Sequence, residues 1–182
     1  MRKVVVSEFI SLDGVCEAPM WTFEFGTDEQ NNFKFNEMKN GEGLLLGRKT
    51  YEGFAEAWPN MIEQTGEYGV WMNNCPKYIV SSTLDKADWG PDSHVIRDNI
   101  AEEINKLKEQ PGKDILVFGS LELIKTLIQL DLIDEYRLMT YPVVLGSGQR
   151  LFPEGMDKIK LKLEATETFP TGVVTHTYSV VR

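Results

Sequence analysis

The chain is short of positive charge, of cysteine and histidine, and of long apolar runs, and each shortage excludes something. Its 19 lysines and arginines stand against 28 aspartates and glutamates, a net charge of −9. A surface that acidic repels phosphate backbones at long range, which argues against a nucleic-acid partner. Two cysteines, Cys16 and Cys75, are too few for a disulfide framework. They leave open a single bridge or two free thiols in a reducing compartment. The two histidines, His94 and His176, have no partner motif, and no spacing suits a metal. No apolar run approaches the roughly 18 residues of a membrane span. Met1-Arg2-Lys3 leads only to three valines before Ser7 and Glu8, unlike a secretion signal. The expectation is a cytoplasmic, soluble chain with no membrane partner, one domain over residues 1–182.

Against that acidic background, Leu44-Leu45-Leu46-Gly47-Arg48-Lys49-Thr50 stands out. A short apolar run stops at a glycine, two cations follow, and a helical segment begins. Such a strand–turn–helix junction offers a phosphate close backbone approach, unpaired helix N–H groups and cationic side chains. An Arg–phosphate contact is worth roughly 1.5–3 kcal/mol. The same residues also read as a plain turn with two solvated cations.

The rest of the chain repeats the theme. Lys3 to Ile10 reads as a buried strand, broken by Ser11-Leu12-Asp13-Gly14. Val15 to Phe25 reads as an apolar loop, with Trp21 its best pocket-wall candidate. Thr27-Asp28-Glu29-Gln30 forms a capping box for a helix running to about Lys39. Thr50 is the expected cap of the next helix, which stops near Trp58-Pro59. Met61 to Asn74 reads as loop, then a loose helix. Lys77 to Val80 is a strand ending in Ser81-Ser82-Thr83, either a polar turn or a ledge for an anion or sugar. Ser93 to Arg97 is a brief strand, and Asn99 caps a helix through Gln110. Asp114 to Phe118 reads as a central parallel strand, followed by Gly119-Ser120 and a helix with Leu121, Ile124, Leu127 and Ile128 inward. Glu135 to Thr140, Lys158 to Ala165 and Val173 to Val181 complete the strands, Lys158 to Ala165 alternating with Ile159, Leu161, Leu163 and Ala165 on one face, and the last two forming an antiparallel hairpin.

Strands alternating with helices, then a hairpin, predict a three-layer α/β domain with a mixed sheet, parallel in the middle. Ligands bind such sheets where strand C-termini meet helix N-termini. The three junctions together suit a dinucleotide. Gly119 and the helix behind it would take a pyrophosphate. Arg48, Thr50 and the serines would take a further phosphate, such as the 2′-phosphate of NADP.

Six segments also carry a family resemblance. Ser11-Leu12-Asp13-Gly14-Val15, Leu46-Gly47-Arg48-Lys49-Thr50-Tyr51, Tyr78-Ile79-Val80-Ser81-Ser82, Val117-Phe118-Gly119-Ser120, Leu132-Ile133-Asp134-Glu135 and Pro142-Val143-Val144-Leu145-Gly146-Ser147-Gly148 fall in order along the chain. Their order resembles the dihydrofolate reductase-like superfamily, above all the branch holding the reductase domain of bacterial riboflavin biosynthesis. The resemblance implies a three-layer dihydrofolate reductase-like fold and an NADPH-dependent reductase, homodimeric in this branch. It places Gly47, Arg48, Lys49 and Thr50 with Ser81 and Ser82 at the adenosine phosphate, and Gly119, Ser120 and Leu121 at the pyrophosphate. Asp13, Gly14 and Trp21 fall beside nicotinamide and substrate, and Leu145 and Gly146 on the substrate side. Two departures are visible. The acid that dihydrofolate reductases keep on the helix after the Trp loop has only Asp28 nearby, one position displaced. Val117-Phe118 stands where the riboflavin reductase has an acid before a glycine pair.

The expected activity is hydride transfer from NADPH to a C=N or C=O group of a small heterocyclic or sugar-linked substrate, similar to the 5-amino-6-(5-phosphoribosylamino)uracil reductase of riboflavin biosynthesis or to dihydrofolate reductase. Asp13, Asp28 or bound water would supply the proton. The alternative is a non-catalytic NADP- or nucleotide-binding protein of the same fold.

Overall fold

The β-branched run at the start of the chain forms β1 (Val4–Ser11), in a computed structural model that describes residues 1–182. Seven more strands follow: β2 (Gly41–Gly47), β3 (Lys77–Val80), β4 (Ser93–Ile96), β5 (Asp114–Val117), β6 (Glu135–Tyr141), β7 (Leu161–Thr168) and β8 (Val174–Val180). The helices are α1 (Asp28–Asn40), α2 (Arg48–Ala57), α3 (Ile62–Thr65), α4 (Glu67–Asn74), α5 (Ile100–Glu109) and α6 (Leu121–Gln129).

All eight strands join one sheet in the order β4-β3-β2-β5-β1-β6-β8-β7. The pairs from β4 through β6 are parallel, while β8 runs antiparallel to both β6 and β7. This is the expected mixed α/β sheet with its antiparallel C-terminal hairpin. Parallel neighbours need a crossover, and the helices between β1 and β5 provide it on both faces.

Strand alternation divides the core. Val4, Val6, Leu45, Ile115 and Val117 face α5 and α6, where Ile104, Leu107, Leu123, Ile124 and Leu127 meet them. Val5, Leu44, Leu46 and Leu116 face the other way, onto Tyr51 of α2 and Met72 of α4. Each fully buried Leu, Ile or Val contributes about 1.5–3 kcal/mol. A third cluster, with Met139, Tyr141, Phe169 and Val173, lies under Phe33 of α1. The two cysteines are free and buried in the two opposite layers, so the open possibility of a bridge is closed.

Several local expectations change. The Val15–Phe25 loop contains a 3-10 helix, Pro19–Phe25. Thr27 does cap α1, accepting the Gln30 N–H at 3.3 Å, but the Gln30 side chain donates to Thr171 Oγ1 instead of closing the box. Thr50 is not a cap. Helix α2 starts at Arg48, with Gly47 as a cap that has no side chain. Asn99 holds the cap position of α5 in a left-handed conformation and makes no side-chain cap bond. Met61–Asn74 contains two helices, split at Gly66 with φ +58°. The alternation expected over Lys158–Ala165 buries little: β7 begins at Leu161, Leu163 is 50% exposed, and a register shift between Leu163 and Ala165 breaks the pattern. An edge strand outside the helix layers has no second face to fill.

Candidate active site

Strands β3, β2 and β5 are neighbours and parallel, so their C-terminal ends share one edge of the sheet. That edge gathers the three junctions. Gly47 pairs with Val80, which sets Ser81-Ser82 beside Arg48. On the other flank the Gly47 N–H donates to the Gly119 carbonyl at 3.2 Å.

The glycines are required by space. A β-carbon on Gly47 would collide with Ser120 Oγ and lie 3.1 Å from Ser120 Cβ. Gly119 has φ +106°, and a β-carbon there would lie 3.0 Å from Thr50 Oγ1. The Gly119–Ser120 peptide is cis. Ser120 caps α6, its Oγ accepting the Leu123 N–H at 3.4 Å. The first turns of α2 and α6 therefore meet at the Gly47–Gly119 contact, with Ser120 packed on Gly47, and helix N-termini so placed form a cradle suited to a phosphate.

Around that cradle the side chains differ in readiness. The Arg48 guanidinium is paired with Glu52 at 3.0 Å, and both side chains are well exposed. Lys49 is exposed. The Ser81 hydroxyl is committed to its own turn, accepting the N–H groups of Thr83 at 3.2 Å and Leu84 at 3.0 Å. Its own O–H stays available to donate, with Thr83 Oγ1 3.5 Å away, and Ser82 is exposed.

The loop after β1 lies nearby but works differently from expectation. The Asp13 carboxylate accepts the Ser11 hydroxyl at 2.6 Å and the N–H groups of Leu145 at 3.1 Å and Gly146 at 2.8 Å. These bonds, the Ser11 hydroxyl first, hold its pKa down to about 2. A carboxylate so held has no proton to give at neutral pH, which makes Asp13 a poor proton donor. Leu145 and Gly146 spend their amides on Asp13 and close one loop onto the other. Gly14 (φ +87°) makes the turn, and its carbonyl accepts the Leu151 N–H at 3.1 Å. Asp28 is the first residue of α1 and exposed. Trp21 is half-buried, edge-on to Tyr141 with centroids 5.4 Å apart, and Phe9 and Phe25 pack on the same ring.

Two further residues belong to this region. Strand β5 pairs with Val4, Val5 and Val6 and then ends, so β1 continues from Ser7 to Ser11 with that flank open. On the α1 side of the opening, Lys34 Nζ lies 5.1 Å from the Phe9 ring and 4.7 Å from the Phe118 ring. It donates to Ser7 Oγ at 2.6 Å and pairs with Glu37 at 2.6 Å. Glu8 sits in the opening itself. Burial raises its pKa from 4.5 to about 8, Lys34 opposing the rise and Glu37 adding to it. The one visible signal for Glu8 was a charged residue inside an apolar strand.

Two grooves, of about 700 and 620 Å³, lie elsewhere. One runs past Tyr78, His94 and Arg97, the other past Met38 and Trp71, and neither includes a residue of the three junctions.

The RibD C-terminal domain family matches residues 2–175. The chain belongs to that family. It is 34% identical over 179 residues to the YyaP protein of Bacillus subtilis (strain 168), covering 97% of this chain and 94% of that one. Among solved structures, a Shewanella sp. PV-4 protein assigned by its name to riboflavin biosynthesis superposes with a TM-score of 0.76 at 21% identity, over 99% of both chains. Dihydrofolate reductase from Enterococcus faecalis, solved with NADP(H), superposes with a TM-score of 0.59 at 17% identity, over 99% of this chain and 97% of that one. The fold is dihydrofolate reductase-like. No helix is long and apolar enough to cross a membrane.

Proposed function

We propose that the protein is an NADPH-dependent reductase acting on a C=N or C=O group of a small heterocyclic or sugar-linked substrate. The observation that carries this reading is the shared edge of β3, β2 and β5 beside the open flank of β1. Gly47, Gly119, Ser120 and the first turn of α6, beginning at Leu121, would hold the pyrophosphate. Arg48, Lys49, Thr50 and Ser82 would hold the 2′-phosphate. The cradle suits such a group because the N-terminal turns of α2 and α6 meet there beside the Arg48 and Lys49 cations. When bound, NADPH supplies the hydride, and the chain supplies orientation and a water-poor cleft. Phe9, Phe118 and Trp21 offer flat apolar walls to a ring-shaped substrate, with Lys34 between the first two.

A cytoplasmic homodimer is part of the same proposal, supported by the family resemblance. Light scattering behind size exclusion should give twice the chain mass. A monomer at micromolar concentration would contradict that part.

The functional test has two stages. NADPH should quench tryptophan fluorescence on binding. The complex should then oxidise NADPH with an acceptor from a panel of pterins, pyrimidine precursors of riboflavin and small carbonyls. Binding with no oxidation across the panel would favour a non-catalytic NADP-binding protein.

A further inference from the structure

The open flank of β1 holds one carboxylic acid that neither the phosphate cradle nor the loop staples use. Glu8 follows Val4 and Val6 on the strand face turned toward α5 and α6. Strand β5 has ended by then, and no strand covers Glu8 on that side. A β-carbon on Gly119 would lie 3.8 Å from Glu8 Oε1, so the carboxyl stands where β1, β5 and Thr50 of α2 meet. It is partly accessible there and makes no hydrogen bond within the chain. The titratable groups whose charge reaches it are Lys34 and Glu37 from α1, which bond Ser7 on the other face of β1, and Cys16 from the loop after β1.

The competing acids are unsuited. Asp13 is ionised and stapled to Leu145 and Gly146. Asp28 is exposed at a helix end. Burial pushes the Cys16 thiol up, so it stays neutral, but it lies in the apolar layer with Ile10 and Leu151. Glu8 alone combines an open approach with surroundings that keep a carboxyl protonated near neutrality.

We propose that Glu8 is the proton donor of the reductase, placed in the opening between β1 and β5 against the end of the phosphate cradle. This rests on the reductase reading. In the step, the Glu8 O–H bond breaks and its electron pair stays on the carboxylate. The proton forms a new N–H or O–H bond on the acceptor. The acceptor carbon takes hydride from the dihydronicotinamide, so C=N becomes CH–NH, or C=O becomes CH–OH, and the nicotinamide is left oxidised. Water then returns a proton to Glu8.

The test compares wild type, Glu8→Gln and Glu8→Asp. Infrared difference titration without substrate should show a protonated carboxyl band at neutral pH that disappears in alkali and is missing from Glu8→Gln. Glu8→Gln should bind NADPH with near-wild-type affinity. With the acceptor found in the panel, its kcat should fall by about 100-fold or more. Wild-type kcat should decline above pH about 8, and the residual Glu8→Gln rate should not. Glu8→Asp should recover part of the rate, and it keeps the test open if Glu8→Gln fails to fold. An ionised Glu8 at neutral pH, an undiminished Glu8→Gln kcat, or a loss of NADPH affinity that accounts for the lost rate would each overturn the assignment alone. A wild type that reduces nothing in the panel would overturn the reductase reading, and the assignment with it.

Discussion

Arg48 has two anions to choose between. Its pair with Glu52 is exposed, and such pairs are worth about 0–1 kcal/mol. A charge-assisted contact to a 2′-phosphate is worth roughly 1.5–3 kcal/mol. A 2′-phosphate bound there would therefore outcompete Glu52. Arg48→Ala should weaken NADPH binding about 10- to 100-fold and leave NADH nearly unchanged, while Glu52→Gln should strengthen NADPH by less than about fivefold. Equal losses for both coenzymes in a calorimetric titration would show that Arg48 does not read the 2′-phosphate. Glu8 makes a prediction in stability. Its folded pKa is raised from 4.5 to about 8, so it contributes fully below pH 4.5, and that contribution is lost as pH rises through 8. Between those limits wild type should lose on the order of 2–4 kcal/mol relative to Glu8→Gln. Parallel urea midpoints for the two proteins would contradict it. Arg48 was legible because a cation pair after a strand-ending glycine is a local signal. Glu8 and the fate of Asp13 were not. Their chemistry is set by residues distant in the chain, by burial with Lys34 and Glu37 for one and at Leu145 and Gly146 for the other.

At the scale of elements, the strand–turn–helix units carry the proposed site, and their tight points are testable. Gly47→Ala drives a methyl group into Ser120. It should cost about 1–3 kcal/mol in stability and abolish measurable NADPH binding. Retained affinity in that variant would show that the cradle is not used. Periodicity made α5 and α6 readable, because their apolar stripes meet the sheet directly: Ile104, Ile124 and Leu127 are fully buried. It misled at β7, where alternation reads the same whether a face meets a core or solvent. Thr50 was misread as a cap because a hydroxyl after two cations resembles one, although Gly47 already ends the strand with backbone suited to the role. The two helices within Met61–Asn74 are short, and Gly66 between them weakens the periodic signal.

For the whole molecule, the convergence of the junctions was legible before their arrangement. Parallel strands joined by crossovers place every strand–helix turn on the same edge. Which strands lie side by side is a long-range matter, and no local pattern states that β5 inserts between β2 and β1. That insertion sets Gly119 against Gly47 and leaves the far end of β1 uncovered, so one choice of order creates both the cradle and the opening. A single coenzyme would then span both. A crystal structure of the protein grown with NADPH is the most direct test. The predicted result is coenzyme lying across Gly47 and Gly119, its 2′-phosphate at Arg48 and its nicotinamide on the open flank of β1 beside Glu8. Coenzyme seated in either of the other grooves, or absent at saturating concentration, would contradict it.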